Sequence, residues 1–567
     1  MKFFQLLSKK QKKTLFVIFL FMMIASFLDI VSIGIVVPLI QSISNFDQNN
    51  LLGYRYISVL KEYFSSTSIQ ISIAIFVIII FFIRNFFLVF LSWFKTRFIL
   101  YLSASWREKL FYLYLSQNLK FHLKKNSAAL LRNINQEISQ AINSYAAPLL
   151  DFYLNVLILL VITSFLFYIY PITTLYVVII FGIIAVSINF FLKKKLFNIG
   201  IIRQQTNLKM LQFLREGFDN VANIKIFNAK DFFINLFRPH NYRLSRTGVK
   251  RSIYGALPKL MFELIFISLV SFFIIFTILS ENSAQDLFNK LVFFSVASLR
   301  IIPALNSLSV SYQKIRYGKP AISLIHEEFK MLENFTEQSN EDKFNFDGDI
   351  KIRDISFKHE NSEEYLLKNI NFEIKKNKVT GIIGHNGSGK TTLINVICGL
   401  LKPNQGQIKV NEKNINENLS SWQKIIGFIP QNIFMIDGTI ESNIAFGVDK
   451  SNIESDKIEK VMSLTELDKD FKKNYFIGEQ GRLLSGGQKQ KIAICRALYH
   501  EPELLIFDEP TSALDSEAEK RFIDNFIKSS NKTVILVSHK KEPLKYCDLI
   551  FELKDGKFIK HLNNESR

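Results

Sequence analysis

The chain has 567 residues, of which 49% are hydrophobic, and a formal net charge of +20. This length allows two or three domains, and the three cysteines, all located after residue 397, argue against a disulfide framework. Many of the lysines and arginines flank long apolar runs, as membrane topology requires, so we expect no nucleic-acid partner.

The first half of the chain contains the apolar runs. An N-terminal group of lysines precedes the first run without a small-residue cleavage site, so we expect an uncleaved first span. Each run is close to or above the roughly 20 residues that a bilayer requires. The predicted spans are Thr14 to Ile43, Ile71 to Phe94, Pro148 to Ile169, Thr173 to Leu192, Leu257 to Leu279 and Leu287 to Leu308.

Two connections between the spans are long, basic and helically periodic: Lys95 to Ala147 and Lys193 to Ala256. Basic loops remain on the cytosolic side, so we expect both termini to be cytosolic. Each connection has a break near its middle, at residues 118–127 and 217–229. A short transverse helix at each break would contact a soluble domain, although simple turns between helices are the alternative.

Three cations lie within predicted spans: Arg84, Lys259 and Arg300. A charge at the centre of a membrane helix costs about 2.5–3.5 kcal/mol, so each needs compensation. One interpretation is internal pairing, for which the candidate partners are Glu263, Asp29 and Asp151. The other is a water-filled cavity in which these cations bind an anionic substrate such as a pyrophosphate.

The outer connection after the first span contains apolar residues at helical spacing: Tyr56, Leu60 and Tyr63. This pattern predicts a short amphipathic helix on the outer leaflet, in contact with membrane lipid. An ordinary loop helix packed on the bundle is the alternative.

A polar segment, residues 331–349, is predicted to link a transmembrane domain (residues 1–330) to a soluble α/β domain (residues 350–567). In the soluble domain, a strand from Val379 to Ile383 leads into a sequence that fits G-x-x-x-x-G-K-[ST]. Its glycines let backbone N–H groups surround phosphate oxygens, and the following helix directs its N-terminus at the anion. The predicted nucleotide-binding residues here are Gly384, His385, Asn386, Gly387, Ser388, Gly389, Lys390, Thr391 and Thr392.

Further candidate residues follow in order. Gln431 ends a strand, and a turn that opens a helix forms a second anion site: Ser485, Gly486, Gly487 and Gln488. An apolar strand then delivers Asp508 and Glu509, and a later one delivers His539. Thr391, Gln431 and Asp508 are candidate ligands of Mg²⁺, whereas Glu509 would deprotonate the attacking water.

The phosphate loop, Gln431, LSGGQ, LLIFDE, SALD and His539, in this order and spacing, resemble the nucleotide-binding domain of an ABC transporter. Six spans followed by such a domain resemble an exporter-type half-transporter. The resemblance implies a helical six-span domain with long cytosolic extensions, then an α/β P-loop ATPase domain, with ATP and Mg²⁺ as cofactors. It also implies a homodimer in which each ATP lies between the phosphate loop of one copy and the LSGGQ of the other, and catalytic roles for Glu509, His539 and Gln431.

One departure concerns the base of the nucleotide. The family usually has an aromatic residue, most often tyrosine, stacked on adenine, and His359 occupies that position here. An imidazole ring stacks on adenine less well than a tyrosine ring does. Tyr365 is the alternative residue for this role.

Within the family, the outer segment and the span cations are similar to the lipid-linked oligosaccharide flippase of bacterial protein N-glycosylation. This resemblance implies ATP-driven transfer of a polyprenyl-pyrophosphate-linked glycan from the inner to the outer leaflet of the bacterial inner membrane. The alternatives are an exporter of another amphiphile, such as a lipopolysaccharide precursor, a peptide or a drug, and, from another class, an ATP-gated channel or sensor.

Overall fold

The computed structural model describes residues 2–43, 66–169, 171–279, 284–333, 346–359, 362–510, 524 and 532–562. The chain divides into two compact units. The first comprises residues 1–117 and 124–336, and the second comprises residues 118–123 and 337–567. The exact domain limits given above stay a prediction.

The first unit is built from helices in the part of the chain that is described. They are α1 (Lys2–Gln5), α2 (Lys9–Ile43), α3 (Ser66–Leu115), α4 (Leu119–Lys124), α5 (Ser127–Arg132), α6 (Ile138–Ala141), α7 (Ala147–Ile169), α8 (Pro171–Asp219), α9 (Val221–Ile226), α10 (Lys230–Leu279) and α11 (Ala284–Glu333). Two π-helical turns, Asn133–Glu137 and Ile142–Ala146, join α5, α6 and α7 into one nearly continuous rod.

The apolar runs form long helices because a helix satisfies all of its backbone hydrogen bonds internally, as a bilayer demands. Among the described residues, five helices are long and apolar enough to cross a membrane, with mean hydropathy between 1.7 and 2.7 in their most apolar windows. The sixth predicted run, Leu287 to Leu308, lies within α11. The helical transmembrane fold predicted from the sequence is confirmed.

The basic connections continue the spans as helices. Helix α3 extends to Leu115 and α8 extends to Asp219, well beyond the predicted span ends. Short helices, α4 and α9, lie at the two predicted breaks. Most of α4 belongs to the second unit, where Leu119 packs against the hydrophobic core.

The second unit is an α/β domain with two sheets among its described residues. Its strands are β1 (Ile350–Phe357), β2 (Leu367–Ile374), β3 (Val379–Ile383), β4 (Gln405–Val410), β5 (Lys413–Asn414), β6 (Ile426–Ile429), β7 (Leu504–Asp508), β8 (Thr533–Val537), β9 (Leu549–Lys554) and β10 (Lys557–Leu562). Its helices are α12 (Lys390–Ile397), α13 (Leu419–Lys424), α14 (Ile440–Ile444), α15 (Ser455–Leu464), α16 (Gly486–Tyr499) and α17 (Lys541–Leu544).

One sheet is antiparallel, in the order β2-β1-β4-β5, and the other has the order β10-β9-β3-β8-β7-β6. In the larger sheet, β9, β3, β8, β7 and β6 pair in parallel. Strands β7 and β8 are buried along their whole length, as expected for parallel strands covered on both faces. The carboxyl ends of parallel strands meet at one sheet edge, so the loops after β3, β6, β7 and β8 converge there.

Candidate functional site

The phosphate loop connects β3 to α12, and its backbone requires glycine. Gly389 has φ +101°, a conformation that residues with a Cβ rarely adopt. A Cβ on Gly384 would lie 2.6 Å from the carbonyl oxygen of Leu553 and 2.7 Å from Ser388 Oγ. His385, Asn386 and Gly387 are exposed along the loop. Thr392 is half-buried in the first turn of α12.

Two side chains of the loop fit an anionic ligand. The Lys390 ammonium is buried and donates hydrogen bonds to the carbonyl oxygens of Gly384 (2.9 Å) and His385 (3.0 Å). Burial lowers the pKa of Lys390, and the nearby carboxylates of Glu509 and Asp508 oppose this shift. Ser388 Oγ is buried and has no hydrogen-bond partner among the described residues. A cation and a free hydroxyl turned into a glycine loop suit a phosphate group.

A second cluster lies where α12 begins and β7 ends. Thr391 Oγ1 donates to Asp508 Oδ2 at 3.1 Å, which brings two predicted metal ligands together. Burial raises the pKa of Asp508, whereas the Thr391 hydrogen bond lowers it. A hydroxyl and a carboxylate oxygen are the kinds of ligand that Mg²⁺ prefers beside a nucleotide phosphate.

The three predicted catalytic residues meet at Glu509. Gln431 Nε2 donates to Glu509 Oε2 at 2.8 Å, and His539 Nε2 lies 2.7 Å from Glu509 Oε1. Glu509 has φ +55°, a costly conformation for a residue other than glycine, of a kind found at functional sites. The carboxylate is therefore held at the edge of the sheet between an amide and an imidazole, where it can accept a proton from water.

The LSGGQ turn is exposed at the start of α16. Ser485 caps this helix: its Oγ accepts from Gln488 N at 3.3 Å, and Gln488 Oε1 accepts from Ser485 N at 2.9 Å. In the described structure, the side chains of these two residues form hydrogen bonds only within the N-terminal turn of α16. Gly486 is also exposed and Gly487 is half-exposed. Gly486 and Gly487 lie in the first turn of α16, where backbone N–H groups have no partner within the helix.

The predicted base-stacking residue lies at the end of β1. The His359 ring is exposed and packs edge-on against Phe357, with ring centroids 5.2 Å apart. The Lys358 ammonium covers one face of Tyr365 at 5.4 Å. Stacking of His359 on adenine stays a prediction. The SALD segment, residues 512–515, lies outside the described residues.

The sequence reasoning missed Arg496. This side chain on α16 is half-buried and donates to the carbonyl oxygens of Asn443 (2.8 Å) and Phe434 (3.0 Å), downstream of Gln431. Burial lowers its pKa. Arg496 therefore ties the helix that begins with LSGGQ to the segment after Gln431. The sequence did contain a signal for Arg496: it is a charged residue between the apolar positions Ile492 and Ala497 of a buried helix.

The membrane cations have different surroundings. Arg84 is buried and its guanidinium lies 2.5 Å from Asp29, a pairing that matches one predicted alternative. Arg300 is half-buried over the Phe81 ring and within electrostatic range of both Arg84 and Asp29.

Lys259 is exposed, and its ammonium lies 3.9 Å from Glu263 on the next turn. The third candidate carboxylate, Asp151, pairs with Lys95. The structure thus brings Arg84 and Arg300 together but pairs Lys259 locally. The predicted outer helix residues Tyr56, Leu60 and Tyr63 lie outside the described residues.

Comparison with known proteins defines the class. Residues 15–300 match the family model for the ABC transporter transmembrane region, and residues 367–512 match the model for the ABC transporter. The first match alone covers 286 residues (300 − 14), just over half of the 567. The chain therefore belongs to the ABC transporter family, whose members bind ATP and couple its hydrolysis to transport.

Solved structures agree on the fold. A bacterial Atm1-family ABC exporter with ATP bound is similar with a TM-score of 0.79 and 17% identity, over 98% of this chain and 95% of that one. The fold of the chain is thus that of an exporter-type half-transporter, as the sequence predicts.

Some of the curated relatives match only part of this chain. An ATP-dependent lipid A-core flippase of Cupriavidus pinatubonensis is 24% identical over 78% of this chain and 76% of its own length. ABC transporter B family member 29, chloroplastic, of Arabidopsis thaliana is 28% identical over 64% of this chain and 58% of its own length. The leukotoxin translocation ATP-binding protein LktB of a Pasteurella haemolytica-like species is 36% identical over 37% of this chain and 31% of its own length. The chain thus spans less than two thirds of the last two relatives.

Proposed function

We propose that two copies of this chain form an ATP-driven exporter that moves a polyprenyl-pyrophosphate-linked oligosaccharide from the inner to the outer leaflet. The membrane would be the bacterial inner membrane, with both chain termini in the cytosol. The observation that carries this proposal is the buried Arg84, inside a helix that is apolar enough to span a bilayer, with Arg300 of α11 within electrostatic range.

The charge balance of this cluster suits an anionic substrate. Asp29 offsets one of the two guanidinium groups, so the three side chains together keep one positive charge. Such a charge is costly in a membrane helix and is typically retained for function. Guanidinium groups bind phosphates through paired hydrogen bonds, and a pyrophosphate linkage offers the matching oxygens. Lys259 would be a third, weaker contributor because Glu263 already pairs with it.

The ATPase residues would act as follows. Lys390 and the backbone of the phosphate loop hold the phosphates, and Thr391 and Asp508, with Gln431, hold Mg²⁺, which neutralises phosphate charge when bound. Glu509 accepts the proton of the attacking water, and Gln431 and His539 orient its carboxylate. Ser485 and the glycines after it, exposed in one copy, bind the ATP of the partner copy.

A second candidate cargo is another amphiphile of the lipid A-core kind. Several bacterial relatives that align with more than three quarters of this chain are named for flipping lipid A-core. Both candidate cargoes need a cationic cavity and the same ATPase chemistry. They differ in the lipid that is carried.

The test is flipping of a labelled polyprenyl-pyrophosphate oligosaccharide in liposomes that contain the purified protein. We expect ATP-dependent flipping by the parent, none by Glu509→Gln, and a strong loss in the double variant Arg84→Gln/Arg300→Gln. Arg215→Gln is the charge control, because Arg215 is exposed and, among the residues that the structure describes, forms an ion pair only with Asp219 one turn away. Unchanged flipping by the double variant would contradict the proposal. Flipping of lipid A-core in its place would favour the second candidate.

A further inference from the structure

A groove opens beside the N-terminal end of α2. It has a volume of about 330 Å³ and is bounded by α1, α2 and α7. Phe16, Phe19 and Met22 of α2 form one wall, and Leu150 and Tyr153 of α7 form the other. The lining is almost entirely apolar, and Lys12 is the one charged residue among its described members.

The groove has the length of one leaflet. Lys12 marks its rim and Met22 its far end, and ten residues at 1.5 Å each span about 15 Å along a helix. Half of a hydrocarbon core of ~30 Å is the same distance. Lys12 lies just before the apolar run that starts at Thr14, so the rim is at headgroup level and the groove runs into the acyl region.

The segment that contributes Phe4 and Leu7 to the groove is anchored to other helices. Phe3 of α1 is fully buried against Trp106 and Tyr145. Lys2 forms an ion pair with Glu327 at 3.2 Å. Gln5 Oε1 lies 2.9 Å from His326 Nε2, also on α11. The neighbouring Phe4 is therefore held in place where it lines the groove, and the groove is preformed.

The rim carries concentrated positive charge. Lys9, Lys10, Lys12 and Lys13 are all exposed, and within the described part of the chain none of them has an ion-pair partner. Each lysine near an anionic membrane surface contributes about 1 kcal/mol of attraction. A preformed apolar channel one leaflet deep, with a cationic rim, matches a single lipid that has a long acyl chain and a negative headgroup.

We propose that this groove is a binding site for one anionic phospholipid of the inner leaflet, with an acyl chain between α2 and α7 and the headgroup phosphate at Lys12. The site is separate from the Arg84 cluster and does not depend on which cargo is transported. The lipid would be a resident of the bilayer. A bound chain would also bury part of Phe4 and so support the docking of α1 on α11.

The test is photolabelling of the full-length protein in phosphatidylcholine liposomes. The probe is phosphatidylglycerol with a diazirine on one acyl chain, and the reference is phosphatidylcholine with the same modified chain. We expect the phosphatidylglycerol probe to label peptides around Phe19 and Leu150, with excess unlabelled phosphatidylglycerol suppressing the labelling. Lys12→Gln should reduce this labelling by up to about five-fold, the factor that corresponds to one lysine at an anionic surface. The matched variant Lys10→Gln, outside the lining, should reduce it less.

A second pair of variants tests the apolar part. Leu15→Trp places a large ring in the groove and should abolish labelling of these peptides, whereas Leu20→Trp adds the same ring to a residue of α2 outside the lining and should not. Equal labelling by both probes, or labelling that Leu15→Trp leaves unchanged, would overturn the proposal. So would cross-links between two chains through this face, which would assign it to a second copy. Displacement by polyprenyl phosphate but not by phosphatidylglycerol would assign the groove to cargo and would also overturn it.

Discussion

Glu137 and Arg203 form a buried ion pair whose removal we expect to destabilise the helical unit. Arg203 Nη2 donates to Glu137 Oε2 at 2.9 Å, and both side chains are at least 96% buried. Gln204 adds a hydrogen bond to the same oxygen at 3.1 Å. Glu137 Oε1 and Arg203 Nε and Nη1 have no hydrogen-bond partner in the described structure. Arg132 lies within electrostatic range of the pair, and the Arg203 guanidinium is 5.8 Å from the centre of the Tyr317 ring.

The expected loss of stability follows from the burial of the pair. Removing one partner of a buried pair costs about 3–5 kcal/mol, because the other charge remains buried alone. Replacing both with apolar residues of similar size is often neutral or stabilising. We therefore expect Glu137→Leu and Arg203→Met each to destabilise by at least about 3 kcal/mol, while the double variant lies near the parent. At roughly 1.4 °C per kcal/mol for a unit of 330 residues, each single variant should melt at least about 4 °C lower.

The assay is thermal unfolding of the purified protein in one detergent, followed by intrinsic fluorescence. Arg215→Met is the matched control, because the Arg215 and Asp219 side chains are about half exposed and such a pair contributes at most about 1 kcal/mol. Single variants that melt within 2 °C of the parent would refute the reasoning, given the expected shift. A double variant as unstable as the sum of the two single ones would refute it equally.

Three further predictions concern the second unit. Glu509→Gln should lower ATP turnover about 10²–10⁴-fold with ATP binding retained, measured by phosphate release and nucleotide retention; a loss under ten-fold would contradict a role as the base. Leu119→Ala should weaken stimulation of the ATPase by cargo while basal turnover remains, because Leu119 packs on the core of this unit; unchanged stimulation would contradict it. The hydrogen bond from Lys375 lowers the pKa of the Asp349 carboxyl in the folded protein. The ionised carboxylate therefore stabilises the fold at pH values above the pKa of Asp349 in the unfolded chain. This stabilisation is lost as the pH falls through the lower pKa of Asp349 in the folded protein. The melting-temperature difference between parent and Asp349→Asn should therefore vanish in strong acid.

Much of the fold could be predicted because its signals are local. Apolar runs of span length, a glycine loop between a strand and a helix, and strands ending in Asp508 and Glu509 each follow from neighbouring residues. The convergence of Gln431, Glu509 and His539 also follows, because parallel strands deliver their carboxyl ends to one edge.

Contacts between distant helices could not be predicted in the same way. Arg84 had several possible carboxylate partners, and only the packing of α2 on α3 selects Asp29. The pairing of Glu137 with Arg203 spans 66 residues and depends on a π-helical turn that no sequence pattern indicated. The bonds from Arg496 to Asn443 and Phe434 likewise arise from tertiary structure.

The central claim is that each ATP site joins Lys390 of one copy to Ser485 of the other. The direct test uses purified heterodimers in a Glu509→Gln background, with retained ATP counted per dimer. A heterodimer of one Lys390→Ala chain and one Ser485→Arg chain keeps one intact site if the sites are shared. A heterodimer of a doubly substituted chain and an unsubstituted one then keeps none. We predict ATP retention in the first pair and its loss in the second, and the reverse pattern would contradict the account.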